Sequence, residues 1–262
     1  MRAIYLIFIF FSTFSLWSQG SIKATYIDSL VINANQYIGK DNFKVDYFVN
    51  SNTLIKNNSL KKFQYKNISL GKIERVCITN PLQLVVFYED FNSLILLDNQ
   101  LNETQKIEGN SFDIPLKIEA FGLASQNQVW LYDGFLQKIS LYNFKTNFNK
   151  IISTPLNSKI KDYSSDYNYF YWVDESNTLF SISLFGNIKN LGKIPAYDYI
   201  QLIDASKIIY SKGDELFYLN TNNASEQKID LIVKSFDNFF YSNGILSIFT
   251  LNHITNYKID LP

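Results

Sequence analysis

The sequence predicts an all-β chain folded as a six-bladed β-propeller, and three observations predict it. An aromatic-rich apolar run, a polar turn and a second apolar run recur six times, from VDYFVNSNTLIKN to ILSIFTLNHITNYKI. One equivalent apolar residue after each turn, Leu54, Leu94, Ile139, Leu179, Leu216 and Ile254, gives spacings of 40, 45, 40, 37 and 38 residues. A fixed period near forty with short strands marks propeller blades. The runs are also too short, and too rich in Tyr, Ile, Val and Phe, for helical repeats, which need a 3.6-residue period over ten or more positions.

Taken in order, unit three illustrates the blade. An inner strand is expected near Lys117–Ala124, a second near Gln128–Tyr132, a third near Gln137–Asn143 and an outer one near Asn149–Ser153. The sixth unit has Leu231–Phe236, Ile245–Thr250 and Ile254–Ile259, and then no outer strand. Upstream of unit one, Ala24–Ile32 is strand-like but belongs to no unit. It is expected to complete blade six, which would join the chain ends and remove exposed sheet edges. Six units consume the 242 residues from Ser21 to Pro262, so one domain is expected over residues 21–262.

Residues 1–20 read as a signal peptide. Met1-Arg2 is a positive start, Ala3 to Phe14 an apolar core, and Ser18 and Gly20 fit the small positions before cleavage. The competing reading is an uncleaved anchor, but the apolar stretch falls short of the ~20 residues a spanning helix needs. No other segment is apolar enough to span. Export to the periplasm or the periplasmic face of the outer membrane of a bacterium follows. Arginine is confined to Arg2 and Arg75, and the wealth of Lys, Asn and Ile looks like AT-rich coding. Asn supplies the turns that the 10 Gly and 5 Pro do not, since it tolerates the left-handed region and bonds its own backbone. Four N-glycosylation sequons, at Asn57, Asn67, Asn102 and Asn223, are the number chance gives in so Asn-rich a chain.

Composition excludes more than it offers. With 24 basic and 24 acidic residues there is no basic surface for nucleic acid. One His, His253, and one Cys, Cys77, permit no His-rich zinc set and no C-x-x-C pair. Cys77, in a strand-like run, is expected to be a buried, inert thiol. No G-x-S-x-G, P-loop or G-x-G-x-x-G is present, and an anion site built on arginine forks has only Arg75 to use. No cofactor and no catalytic residue is expected.

The positive signal is acidic. Glu74, Glu119, Asp162, Asp198 and Asp237 fall near the starts of inner strands, and unit one has no acid in that register. The turns between second and third strands carry Glu89, Asp90, Asp133, Asp174, Glu175 and Asp214. In a ring both sets open on one face, where they would form an interaction rim or bind Ca²⁺ through oxygen ligands. Lys72, Lys117, Lys161 and Lys234 stand beside four of the acids, so a solvated, self-neutralised rim is the plainer reading. Trp130, Tyr132, Tyr171, Trp172 and Tyr210, on second strands, should pack between blades.

Phrases such as VWLYDGFLQKISLYN and VVFYEDFNSLILLDNQLN give the chain a resemblance to bacterial extracytoplasmic six-bladed propellers of the TolB-like and NHL-like type. The resemblance rests on period and strand pattern across nearly all of residues 21–262 and carries no catalytic motif. It implies a non-catalytic protein-interaction platform in a cell-envelope complex, with another envelope protein as partner. A divalent-cation-dependent, lactonase-like propeller hydrolase and a carbohydrate- or peptide-binding module are the alternatives.

Overall fold

A computed structural model describes residues 20–58, 61–233, 235–251 and 253–262. Residues 1–19, expected from the sequence to belong to a signal peptide, Ser59 of the first sequon and Lys234 lie outside the described residues. The architecture is a six-bladed β-propeller. Blade one runs over residues 36–65, blade two over 75–108, blade three over 118–151, blade four over 160–193, and blade five over 199–230. Each is an antiparallel meander from an inner to an outer strand. Blade three has strands Ile118–Ala124, Gln128–Asp133, Lys138–Asn143 and Phe148–Ile151, close to the sequence expectation.

Blade six closes the ring as expected. Its inner three strands are Asn238–Ser242, Ile245–Thr250 and His253–Lys258. Its outer strand is the N-terminal Thr25–Val31, antiparallel to His253–Lys258 with Ser29 opposite Thr255. A side-chain relay runs from buried Ser247 and Asn256 across this seam to exposed Asp28. Ser247 Oγ donates to Asn256 Oδ1 at 2.6 Å, and Asn256 Nδ2 donates to Asp28 Oδ1 at 2.6 Å. Two features depart from the sequence reading. Ile22–Lys23 adds a parallel fifth strand to the outer edge of blade five, so the chain start stitches two blades together. The inner strand of blade six is Asn238–Ser242, not Leu231–Phe236. Leu231, Val233 and Phe236 are apolar because they pack against the core between blades five and six, without a partner strand.

The reason the period is so legible is that each anchor is the second residue of its blade's third strand and is essentially solvent-free. Each also points toward the following blade. Leu54 lies in the core shared by blades one and two, Leu94 in that of two and three, and Ile139 in that of three and four. Leu179, Leu216 and Ile254 close the remaining three interfaces, the last of them back onto blade one. Second strands alternate between two cores. Leu84, Val86 and Tyr88 face blade one, whereas Val85 and Phe87 face blade three. Strands buried on both sides must therefore be apolar at every position. Trp130, Tyr132, Tyr171, Trp172 and Tyr210 are all buried between blades.

Asn does its turn work with an added function. Asn52, Asn92 and Asn177, each two residues before an anchor, adopt φ of 59°, 48° and 57°. Asn52 Nδ2 donates to Gly71 O and its Oδ1 accepts from Ile73 N, both at 2.7 Å. Asn92 does the same to Leu116 O and Ile118 N at 2.7 and 2.8 Å. Each side chain thus clamps the start of the next blade, which Gly in the same left-handed turn could not do.

Replacing Ile139 by Ala should cost about 2–5 kcal/mol of unfolding free energy, the range for deleting a buried aliphatic side chain. Exposed Ile68→Ala should change it by less than about 0.5 kcal/mol. Urea denaturation of the two variants measures both.

Candidate functional site

Inner strands present a free edge to the ring axis, so backbone groups and alternate side chains surround a central cavity of about 790 Å³ to which all six blades contribute. Its walls are aromatic at Phe121, Tyr163, Tyr199 and Phe240. Six carboxylates, Asp41, Glu74, Glu89, Glu119, Asp162 and Asp166, and two cations, Lys40 and Arg75, line it. Lys40 is engaged by Asp46 at 2.7 Å. The lining is therefore strongly negative.

The eleven rim acids of the sequence reading divide in two. Glu74, Glu89, Glu119 and Asp162 border the cavity. Asp90, Asp133, Asp174, Glu175, Asp198, Asp214 and Asp237 are not among its lining residues. Most of these serve turns. Asp133 Oδ1 accepts from Lys117 N and Phe135 N, both at 3.0 Å. Asp198 Oδ2 accepts from Gly213 N at 2.7 Å, and Asp237 Oδ2 from Leu251 N at 2.6 Å. Blade one, which has no acid in this register, uses Asn35, whose Oδ1 accepts from Ser51 N at 2.7 Å. A neutral residue makes the same bond, so the position requires an acceptor rather than a charge. Asp174 Oδ1 accepts from Ser176 N, Ser176 Oγ and Thr178 N at 2.8, 2.8 and 2.9 Å. Burial opposes its charge, but these donors outweigh burial and hold its carboxyl below the usual range.

Charge pairing along the rim is partial. Lys117 meets Glu119 at 2.7 Å. Lys161 instead donates to Asn177 Oδ1 at 3.0 Å and lies 3.9 Å above the Tyr197 ring. Asp162 accepts from the Tyr197 hydroxyl at 2.8 Å. Among the described residues no group of three His, Cys, Asp or Glu side chains is arranged to hold a metal ion, so the acids do not converge as a calcium site would require.

Two cavity residues depart from the sequence reading. Cys77 is half-buried rather than buried: it packs against the core between blades two and three and also lines the cavity, with Sγ 3.3 Å from Thr79 Oγ1. Its strand, Arg75–Cys77, is an inner one, and a period-two pattern cannot tell a channel-facing position from a core-facing one. Arg75, which as a single arginine makes no anion fork, is a cavity residue in another role. Its guanidinium reaches from blade two to blade four, where Nη2 donates to the Tyr163 carbonyl at 2.7 Å and Cζ lies 3.9 Å from the Tyr163 ring centroid. Its position beside Glu74 at an inner-strand start was the available signal.

The face where inner strands begin also exposes apolar turn tips. Phe91 is 51% exposed, Phe135 70%, Leu136 44% and Leu251 81%. The opposite face exposes Phe43, Leu82 and Phe185 and carries two of the cavity carboxylates, Asp41 and Asp166; the face where inner strands begin, here the entry face, carries the other four, Glu74, Glu89, Glu119 and Asp162. Among the described residues no helix is long and apolar enough to cross a membrane.

No protein-family model matches the chain, and no curated protein sequence is significantly similar to it. Solved structures are similar in fold. Virginiamycin B lyase from Staphylococcus aureus shares 11% identity at a TM-score of 0.58, over 88% of this chain and 98% of that one. BamB from Moraxella catarrhalis shares 10% at 0.53, over 90% and 99%. A member of the DUF4221 family from Bacteroides vulgatus shares 10% at 0.57, over 92% and 99%. At these identities the likeness is one of propeller architecture, which carries no function with it.

If Asp237 acts as a turn acceptor, Asp237→Asn should leave stability within about 0.5 kcal/mol of wild type, and Asp237→Ala should lower it by about 0.5–2 kcal/mol, as loss of a comparable cap does. Thermal or urea unfolding of the pair separates acceptor from charge. Burial also pushes the Tyr163 phenol up to about 12, while the positive charge of Arg75 pulls the other way. The folded value exceeds the unfolded value of about 10. Stability from this group is therefore full below pH ~10 and is lost as pH rises through about 12. Arg75→Gln should move the Tyr163 step to still higher pH in a tyrosinate-absorbance difference titration; an unchanged or lowered step would contradict the contact.

Proposed function

We propose that the protein is a non-catalytic interaction platform exported to the bacterial periplasm or the periplasmic face of the outer membrane, where its entry face docks another envelope protein. The observation that carries this reading is the set of exposed apolar tips, Phe91, Phe135, Leu136 and Leu251, set among carboxylates on one face of a closed ring. Exposed apolar side chains gathered on a rigid face and rimmed by polar groups are the usual make-up of a protein-docking site. The leader-like start of the sequence supports export, and the structural likeness to BamB is compatible with an envelope role.

The likeness to the lyase favours catalysis less. A histidine-to-alanine variant of that enzyme is catalytically inactive. The single histidine here, His253, is exposed and begins the third strand of blade six, two strands out from the channel and paired with Val31. A histidine there does not face a ligand in the central cavity.

Cross-linked envelope extracts should yield a partner with the wild-type protein that is reduced at least about tenfold with Phe135→Ser/Leu136→Ser, a loss of about 1.4 kcal/mol or more. Equal recovery by both proteins would overturn the entry face as the docking surface. Fractionation should find the mature protein outside the cytoplasm, beginning at Ser21; a cytoplasmic, unprocessed chain would overturn the location.

A further inference from the structure

The central cavity already contains a bound cation, supplied by the chain itself. The Arg75 guanidinium is held by a free-edge carbonyl and an aromatic ring, both from Tyr163 on the far side of blade three. Carbonyl and ring are the two ways a protein binds a guanidinium without an opposing charge. Among the described residues Arg75 makes no ion pair, although Glu74, Glu89, Glu119 and Asp162 line the same cavity. The cavity, at about 790 Å³, far exceeds one guanidinium and falls in the range of sites that hold small ligands or inserted side chains. The accessible ring of Tyr199 on the same wall extends the seat beyond Tyr163.

We infer that the channel is a seat for a cationic side chain, arginine or lysine, presented by the docked partner, and that Arg75 fills this seat in the free protein as a tethered competitor. The inference rests on the platform reading and specifies the partner's chemistry. The surplus of carboxylates concentrates cations at the entrance. The aromatic and carbonyl surfaces then hold the cation, and Arg75 must swing off Tyr163 to admit it. A seat filled by its own residue nine-tenths of the time weakens binding of a guest about tenfold, because only the open fraction is competent.

The test is calorimetric titration of the full mature protein with N-acetyl-arginine amide, and with N-acetyl-glutamate amide as the charge control. Arg75→Gln should bind the arginine probe about tenfold more tightly than wild type. Lys72→Gln, which removes one positive charge from the same face without touching the seat, should change affinity less than about twofold, a simple screened charge effect. Adding Glu74→Gln, at an exposed side chain, to Arg75→Gln should weaken the probe again. Binding of the glutamate probe should be absent throughout. The inference is overturned if Arg75→Gln binds the arginine probe no better than wild type, if Lys72→Gln gains as much, or if neither protein binds it. Those failures would leave the platform reading intact so long as Phe135→Ser/Leu136→Ser still loses the partner.

Discussion

The contact on which the rest depends is the packing of each blade's third-strand anchor against the next blade. Leu54, Leu94, Ile139, Leu179, Leu216 and Ile254 sit at one position of the repeat and seal one inter-blade core each. A sheet of four short strands cannot bury both its faces alone. It does so only between two neighbours, so every blade needs the ring and the ring needs the last blade to meet the first. That requirement explains why the chain start is spent on a strand for blade six and a further short strand for blade five. It also explains why the seam holds a Ser247–Asn256–Asp28 relay, where a polar network fixes which strand may pair.

Closure also sets the chemistry. Because strands radiate outward, the inner edges turn backbone polar groups and a few side chains to the axis, Tyr163 and Tyr199 among them, while the large aromatics of second strands are consumed between blades. The axis is thus polar, roomy and negative, and its one engaged arginine is seated on a tyrosine rather than on an acid. Turn tips, by contrast, are freed from packing. They can expose Phe91 or Phe135 with little effect on the core, and a rigid ring holds them in fixed relation. The docking proposed at such tips and the cation capture proposed at the axis would be two uses of one geometry.

Most of the fold was legible because the anchors repeat at an equivalent position and because strands buried on two sides must be apolar throughout. The closing strand was legible from arithmetic: a blade short of a strand at one end, a strand short of a blade at the other. The inner strand of blade six was misplaced because Leu231, Val233 and Phe236 are apolar for packing rather than pairing, and hydrophobicity alone does not separate the two. Ile22–Lys23 is too short to carry a pattern. The rim was only partly legible. Its acids were visible, but their division into cavity-lining Glu74, Glu89, Glu119 and Asp162 and turn-serving Asp133, Asp174, Asp198 and Asp237 depends on where backbone N–H groups point. Asn35, doing the work of an acid without a charge, was invisible to a search for carboxylates. Cys77 and Arg75 lie on an inner edge, a location that strand periodicity does not encode.

The ring closure is tested most directly by cross-linking across the seam. Ser29 and Thr255 face each other on paired antiparallel strands, a separation that a disulfide spans. In a Cys77→Ser background, Ser29→Cys/Thr255→Cys should oxidise to an intramolecular disulfide in nearly all molecules, located by peptide mass mapping, with the folded state retained. Failure of the two thiols to join in the folded monomer would contradict the closed six-bladed ring.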